Sequence, residues 1–216
     1  MKTCNHHLPK QTVHERDWHY TGIKRAKVLS EAQINQVTDH IRRVSNSPLS
    51  DELKFLLSAY AGLRACEIAG LMVDALIVSN EPGGSHIVVA RNLAKGGRER
   101  MIPMHPKILE CFKRFRLAHP TIPFVSFSAR GRIRRQSAAA VKTWFLTLYQ
   151  DLGLQGCSSH SGRRTFITGL ARSANRHGSS MRDVQLLAGH ARLETTAAYI
   201  EPAQNLSRLV AALGTE

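Results

Sequence analysis

Tyr199 ends the stretch Gln185-Leu-Leu-Ala-Gly-His190-Ala-Arg-Leu-Glu-Thr-Thr-Ala-Ala-Tyr199, nine residues after a histidine that itself follows an Ala-Gly break. A free phenol titrates near ~10, so a nucleophilic tyrosine needs a cationic pocket or a neighbouring base. Arginines stand where such a pocket would want them. Arg64 and Arg163 each open an expected helix, the end at which the helix dipole disfavours a cation. A cation is tolerated there if an anion sits between it and the backbone N–H groups, and phosphate is the natural anion.

Arg163 is followed by Phe166, Ile167 and Leu170, the buried stripe of its helix. The arginine therefore lies on or beside the apolar face, with Arg164 more lateral, and either snorkels outward or lines an anionic pocket. His160, at the start of the same helix, can point into that pocket. Arg64 has Glu67 one turn later. The pair is either an ordinary helix-surface contact, worth ~0.2–0.5 kcal/mol, or a carboxylate holding a planar fork ready for two phosphoryl oxygens. Lys95 precedes the Gly96-Gly97 turn at the tip of an expected hairpin, where it is a solubilising lysine or a mobile ammonium able to reach into a DNA groove. His190 alone would be a capping or packing histidine; its spacing to Tyr199 makes it a candidate. Tyr20, Tyr60 and Tyr149 lack this setting.

The elements that must position these groups are legible in outline. Residues 1–28 are polar, basic and without periodicity, and read as a flexible arm. From 29 onward the chain reads as one α+β, mainly helical domain. Ser30 and Gln33 form a capping-box signature with Leu29 as staple. Ser45-Asn-Ser-Pro48 closes that helix, and Ser50 is expected to cap the next, whose Leu53, Leu56, Leu57 and Tyr60 share a face. After the Ala61-Gly62 break comes a helix carrying Arg64 and Glu67. Extended segments at 75–79, 86–92 and 98–104, with turns at 82–84 and 96–97, suggest a small antiparallel three-stranded sheet. Helices are expected at about 105–118, 137–150, 161–175, 181–188 and 192–199. A last amphipathic one is expected at 203–213. The segment Arg130-Gly-Arg132-Ile-Arg134-Arg135 reads as a loop that contacts a phosphate backbone, or else as a solvated linker.

Composition narrows the partners. The 216 residues hold 30 Lys+Arg against 16 Asp+Glu, a formal charge of +14. That excess speaks for nucleic acid, and no long apolar or basic amphipathic segment supports a membrane. Cys4, Cys66, Cys111 and Cys157 show no Cys-x-x-Cys spacing and read as reduced thiols of a cytoplasmic protein. His6, His7, His14 and His19 match no ligand set for a metal, and nothing at the N-terminus points to export.

Four segments together carry a resemblance: Gly62-Leu-Arg64-Ala-Cys-Glu67-Ile, Ala94-Lys95-Gly-Gly-Arg98-Glu-Arg100, His160-Ser-Gly-Arg163-Arg164-Thr-Phe, and Gly189-His190 through Tyr199. In order and separation they resemble the tyrosine recombinases, the phage-integrase family, across roughly residues 30–210. The resemblance implies the family's DNA breaking-rejoining fold and a site-specific recombinase that forms a 3′-phosphotyrosine intermediate. It implies Tyr199 as nucleophile, Arg64 and Arg163 as phosphate clamps, and His190 as a hydrogen-bond partner of the scissile phosphate. It also implies Lys95 as the acid for the leaving 5′ oxygen, His160 as an aid to proton transfer from the nucleophile, and Glu67 as support for Arg64. One phosphoester replaces another, so no cofactor and no metal are expected. Arg98, Arg100, Arg130, Arg132, Arg134, Arg135 and Arg164 are expected to contact double-stranded DNA. Residues 1–28 are too short for the core-binding domain of larger members, so the chain is similar in plan to the short recombinases of mobile elements. The resemblance further suggests a homo-tetramer on DNA through helix 203–213, and an accessory DNA-bending protein. Two rivals share the features: a strand-swivelling enzyme resembling type IB topoisomerases, and a non-catalytic DNA-binding accessory or decayed integrase.

Overall fold

The computed structural model describes residues 26–94, 99–128 and 133–199. Lys95, Arg98, Arg130, Arg132, residues 1–25 of the expected arm and the expected helix 203–213 lie outside the described residues. The described chain is α+β and mainly helical, with eight α-helices, a three-stranded antiparallel sheet and a two-stranded ribbon.

Helix α1 (Glu31–Val44) begins as its sequence dictates. The Ser30 hydroxyl accepts from Gln33 N and the Gln33 amide oxygen accepts from Ser30 N. Leu29 and Ile34 are both buried, as a hydrophobic staple requires. Helix α2 (Pro48–Ala61) starts earlier than expected: Ser47 is its N-cap and Pro48 its first residue. Ser50 does not cap it, because the Ser50 hydroxyl is buried and donates to Val125 O at 2.8 Å. Apolar and small residues occupy nearly every side of α2, so it becomes the central helix, packed against α1, α4 (Pro106–Ala118) and α6 (Ser161–Ser173). Its two buried charges are paired. Glu52 accepts from Arg42 and Arg114, while Lys54 contacts Asp51 and Gln136 and lies over the Trp144 ring.

Helix α3 (Ala65–Gly70) packs on α5 (Ala138–Asp151). Beyond it, β1 (Leu76–Ile77), β2 (His86–Val89) and β3 (Arg100–Pro103) pair in sequence order, with Ile87 opposite both Leu76 and Ile102. These strands are shorter than expected, and residues 73–75 form a turn of 3-10 helix rather than the start of β1. The basic segment is likewise not wholly a loop. Arg134 and Arg135 form β5, paired with β4 (Phe127–Ser128), and both arginines are exposed. Gln136, at the ribbon's base, is held by Ser126 and Lys54. Helices α7 (Met181–Ala188) and α8 (Leu193–Ala197) follow α6. No helix among the described residues is long and apolar enough to cross a membrane.

Candidate active site

Two helix ends and one helix start build the site. Helix α2 stops at Gly62 (φ +64) and α7 stops at Gly189 (φ +63), both in the left-handed conformation that glycine adopts without penalty. Each stop turns the chain sharply and delivers a functional residue: Arg64 two positions after Gly62, His190 directly after Gly189. At the start of α6, Arg163 bridges the two stops. Its Nη1 donates to Gly62 O at 2.5 Å and its Nη2 to Ala188 O at 2.6 Å. A cation at a helix N-terminus is thereby held by the negative C-terminal ends of two other helices. Arg163 is 2 % exposed, so it lines the interior and does not snorkel. Each of its Nη nitrogens carries a second N–H that these bonds do not use. Burial, and then the neighbouring Arg64 guanidinium, lower its pKa to about 10, which leaves it charged at neutral pH.

Arg64 and Glu67 are more than a surface helix pair. Glu67 is fully buried and accepts from both the backbone N–H and Nη1 of Arg64, at 2.8 and 2.9 Å. Its other partner is Arg100, expected from sequence to contact DNA; here its buried side chain grips the same carboxylate through Nη1 and Nη2, at 3.0 and 2.8 Å. Burial alone would raise the Glu67 pKa, but the bonds and charge of Arg100 and Arg64 outweigh it and hold the carboxyl below its usual range. The signal was available in the strand's period-2 pattern, which puts Arg100 on the face of buried Ile102.

His190 is buried against the same cluster. Its Nδ1 lies 3.0 Å from the Thr196 hydroxyl, and its backbone carbonyl accepts from the Gln185 amide at 3.0 Å. Burial, followed by the charges of Arg163, Arg64 and Arg100, lowers its pKa to about 4, so the ring is neutral at pH 7. The Tyr199 ring stacks on it at 5.6 Å between centroids and 27° between planes. Tyr199 is half-buried on a small apolar cluster of Ile167, Val184 and Ala188. Gln185 and Thr196 were not singled out from sequence. Their role is visible only once their side chains are seen against His190.

Arg64, Glu67, Arg163, His190 and Tyr199 thus converge. His160 is exposed at the N-cap of α6, with Nδ1 3.4 Å from the Ser159 hydroxyl. Arg164 is half-buried beside Arg163 and has a buried Nε without a partner among the described residues. The other described tyrosines are otherwise engaged. Tyr60 is tied to Glu31 and Lys107, and Tyr149 is buried in the core, which pushes its phenol pKa up. A cleft of about 260 Å³ opens between β3 and α7 beside the cluster, lined by Arg100, Met101, Gln185, Leu186, Gly189 and His190.

The sequence model of the phage integrase family matches residues 27–205. The chain belongs to that family. Among curated relatives, it is 27% identical over 180 residues to the tyrosine recombinase XerD of Vibrio cholerae serotype O1, covering 80% of this chain and 56% of that protein. It is 29% identical over 143 residues to the tyrosine recombinase XerC of Pelobacter propionicus, covering 64% and 43%. The chain therefore spans about half the length of these relatives. Its fold matches XerH site-specific recombinase bound to difH substrate in a pre-cleavage complex, with TM-score 0.66 and 19% identity over 91% of this chain and 57% of that one. It also matches the Tn1549 transposon integrase in complex with circular intermediate DNA, with TM-score 0.66 and 21% identity over 89% and 66%.

Proposed function

We propose that this phage-integrase family protein is a site-specific DNA recombinase that breaks and rejoins strands through a covalent tyrosine intermediate. The observation that carries the reading is the gathering of two forked cations, Arg64 and Arg163, at the helix ends that deliver buried His190, with Tyr199 stacked on its ring. The Tyr199 phenolic oxygen attacks the scissile phosphorus in line, with loss of its proton, which His160 helps to transfer. The P–O bond to the 5′ oxygen breaks, leaving a 3′-phosphotyrosyl enzyme. Lys95 supplies the proton that converts the departing oxygen to a 5′-hydroxyl. Arg64 and Arg163 stabilise the negative charge that grows on the non-bridging oxygens, and His190 donates one hydrogen bond to it. A 5′-hydroxyl of a partner strand then attacks the phosphotyrosine and restores the phenol.

The partner is double-stranded DNA, in keeping with the +14 charge and with relatives named as recombinases. Exposed Arg134 and Arg135, with Arg130 and Arg132 beside them in sequence, suit the phosphate backbone. Several copies acting on paired sites, with segment 203–213 as the link between them, fit a reaction that exchanges strands between duplexes. An accessory DNA-bending protein would help bring the sites together.

The test is suicide-substrate trapping on a nicked duplex carrying the DNA that flanks the gene. Wild type should form a denaturation-resistant protein–DNA adduct, and Tyr199→Phe should form none while binding the duplex comparably. An adduct in the Phe variant would remove Tyr199 as nucleophile. Supercoil relaxation by a monomer without joined products would favour the swivelling alternative, and binding without any adduct the non-catalytic one.

A further inference from the structure

Arg100 joins parts of the site that are remote in sequence. It opens β3, the strand that follows Lys95 by five residues. Its guanidinium closes both Nη groups on Glu67, the carboxylate that also holds the backbone and fork of Arg64. It also lies against the turn that delivers His190: a Cβ placed on Gly189 would sit 3.0 Å from Arg100 Cδ and Nη1. A side chain there would crowd the Arg100 guanidinium, and Gly189 also holds a φ of +63° that favours glycine. The Arg100 side chain is 5 % exposed, and both its Nη groups are taken up by Glu67.

We propose that Arg100 is a positioning residue for strand transfer, clamping Glu67 so that the Arg64 fork is fixed and bracing the Gly189–His190 turn from beneath. Two consequences follow from its chemistry. As a fork, it occupies both oxygens of Glu67, so the carboxylate cannot swing away from the Arg64 backbone. As a charge, it makes three guanidiniums (Arg64, Arg100, Arg163) against the one carboxylate of Glu67, an excess of positive charge facing the position of the phosphate. A lysine would keep the charge and lose the fork; a methionine would lose both while filling similar space.

The inference rests on the proposed strand-transfer reaction, and its test has one arm that does not. Arg100→Lys and Arg100→Met are compared with wild type in single-turnover adduct formation, in DNA affinity across salt, and in titration of the His190 imidazole by NMR. Both variants should bind DNA within about threefold of wild type with the same salt slope. Their adduct rates should fall on the order of 100-fold, the scale expected for about 1 Å of misplacement. Arg100→Met should raise the His190 pKa toward its ordinary value, whereas Arg100→Lys should leave it low. If Arg100→Met does not fold, Arg100→Gln, which loses the charge and the fork but can still donate to Glu67, takes its place.

Weaker binding and a shallower salt slope, with the adduct rate intact, would make Arg100 a DNA contact and overturn the proposal. So would a His190 titration unmoved in the methionine variant, whatever the rate. Absence of adduct in wild type would count against the reaction itself, and the NMR arm would still decide the place of Arg100 beneath His190.

Discussion

His190 is kept neutral by its surroundings, and that has a thermodynamic signature. Its pKa is about 4 in the folded chain, lowered by burial and by Arg163, Arg64 and Arg100, against ~6.5 in an unfolded one. Between those values the unfolded chain binds the extra proton, so stability rises with pH through this window. The contribution is fully present above about 6.5 and is lost as pH falls toward 4, a loss of roughly 3 kcal/mol in all. Urea unfolding of wild type and His190→Gln at several pH values should show it: the variant should lack most of this slope. Glu67, whose pKa is held low, contributes in the same sense at more acid pH, and comparing the two proteins removes it. Parallel slopes in the two proteins would mean that His190 is not buried against the cations. At this scale Tyr199, His190, Arg64 and Arg163 were legible as candidates from types and spacings. Gln185 and Thr196 were not, because their meaning depends on the direction a side chain takes, and for Arg100 the strand pattern gave its buried face but not its partner Glu67, 33 residues away.

The elements succeed by approaching closely at a few small residues. Helices α2 and α6 meet where Gly162 faces Ser58, and a Cβ on Gly162 would lie 2.4 Å from the Ser58 hydroxyl oxygen and 3.0 Å from its backbone carbonyl carbon. The hydroxyl can rotate but the backbone cannot, so Gly162→Ala must push α6 away from α2. Arg163 is the next residue and spans to Gly62 O at the end of α2, so the same displacement strains its clasp. The variant should lose ~1–3 kcal/mol by thermal or urea unfolding, the usual range for overpacking. Its adduct formation should fall more steeply than its DNA binding. Unchanged stability would mean that the helices are not in this contact. The helices themselves were readable because their signals are local: Ser30, Ser137 and Ser180 each cap the helix they precede. Ser50 misled for the opposite reason, since its hydroxyl partner is Val125, 75 residues away. Strand lengths were overestimated because pairing, not propensity, ends a strand, and here two residues of β1 suffice. The ribbon of β4 and β5 was invisible as a ribbon: Arg134 and Arg135 announce charge and not pairing.

For the whole molecule, the proposed reaction gives the excess of positive charge the task of bringing the protein to DNA before any chemistry begins. Each phosphate neutralised by an arginine or lysine releases condensed counterions, so the logarithm of affinity should fall linearly with the logarithm of salt concentration. The exposed arginines of β5 offer a place to test where that charge is used. Gln136 is fixed at the ribbon's base by Ser126 and by buried Lys54, so Arg134 and Arg135 are presented from an anchored element. Replacing both by glutamine should weaken binding about equally to flanking DNA and to an unrelated duplex, and should reduce the salt slope by about 1 for each phosphate contact removed. Stability should hardly change, since both side chains are exposed. Fluorescence anisotropy across a salt series measures slope and affinity together. An unchanged slope would move the phosphate contacts elsewhere on the surface. A loss confined to the flanking DNA would instead make the ribbon a reader of sequence, because base edges and local shape, not phosphates, distinguish one duplex from another.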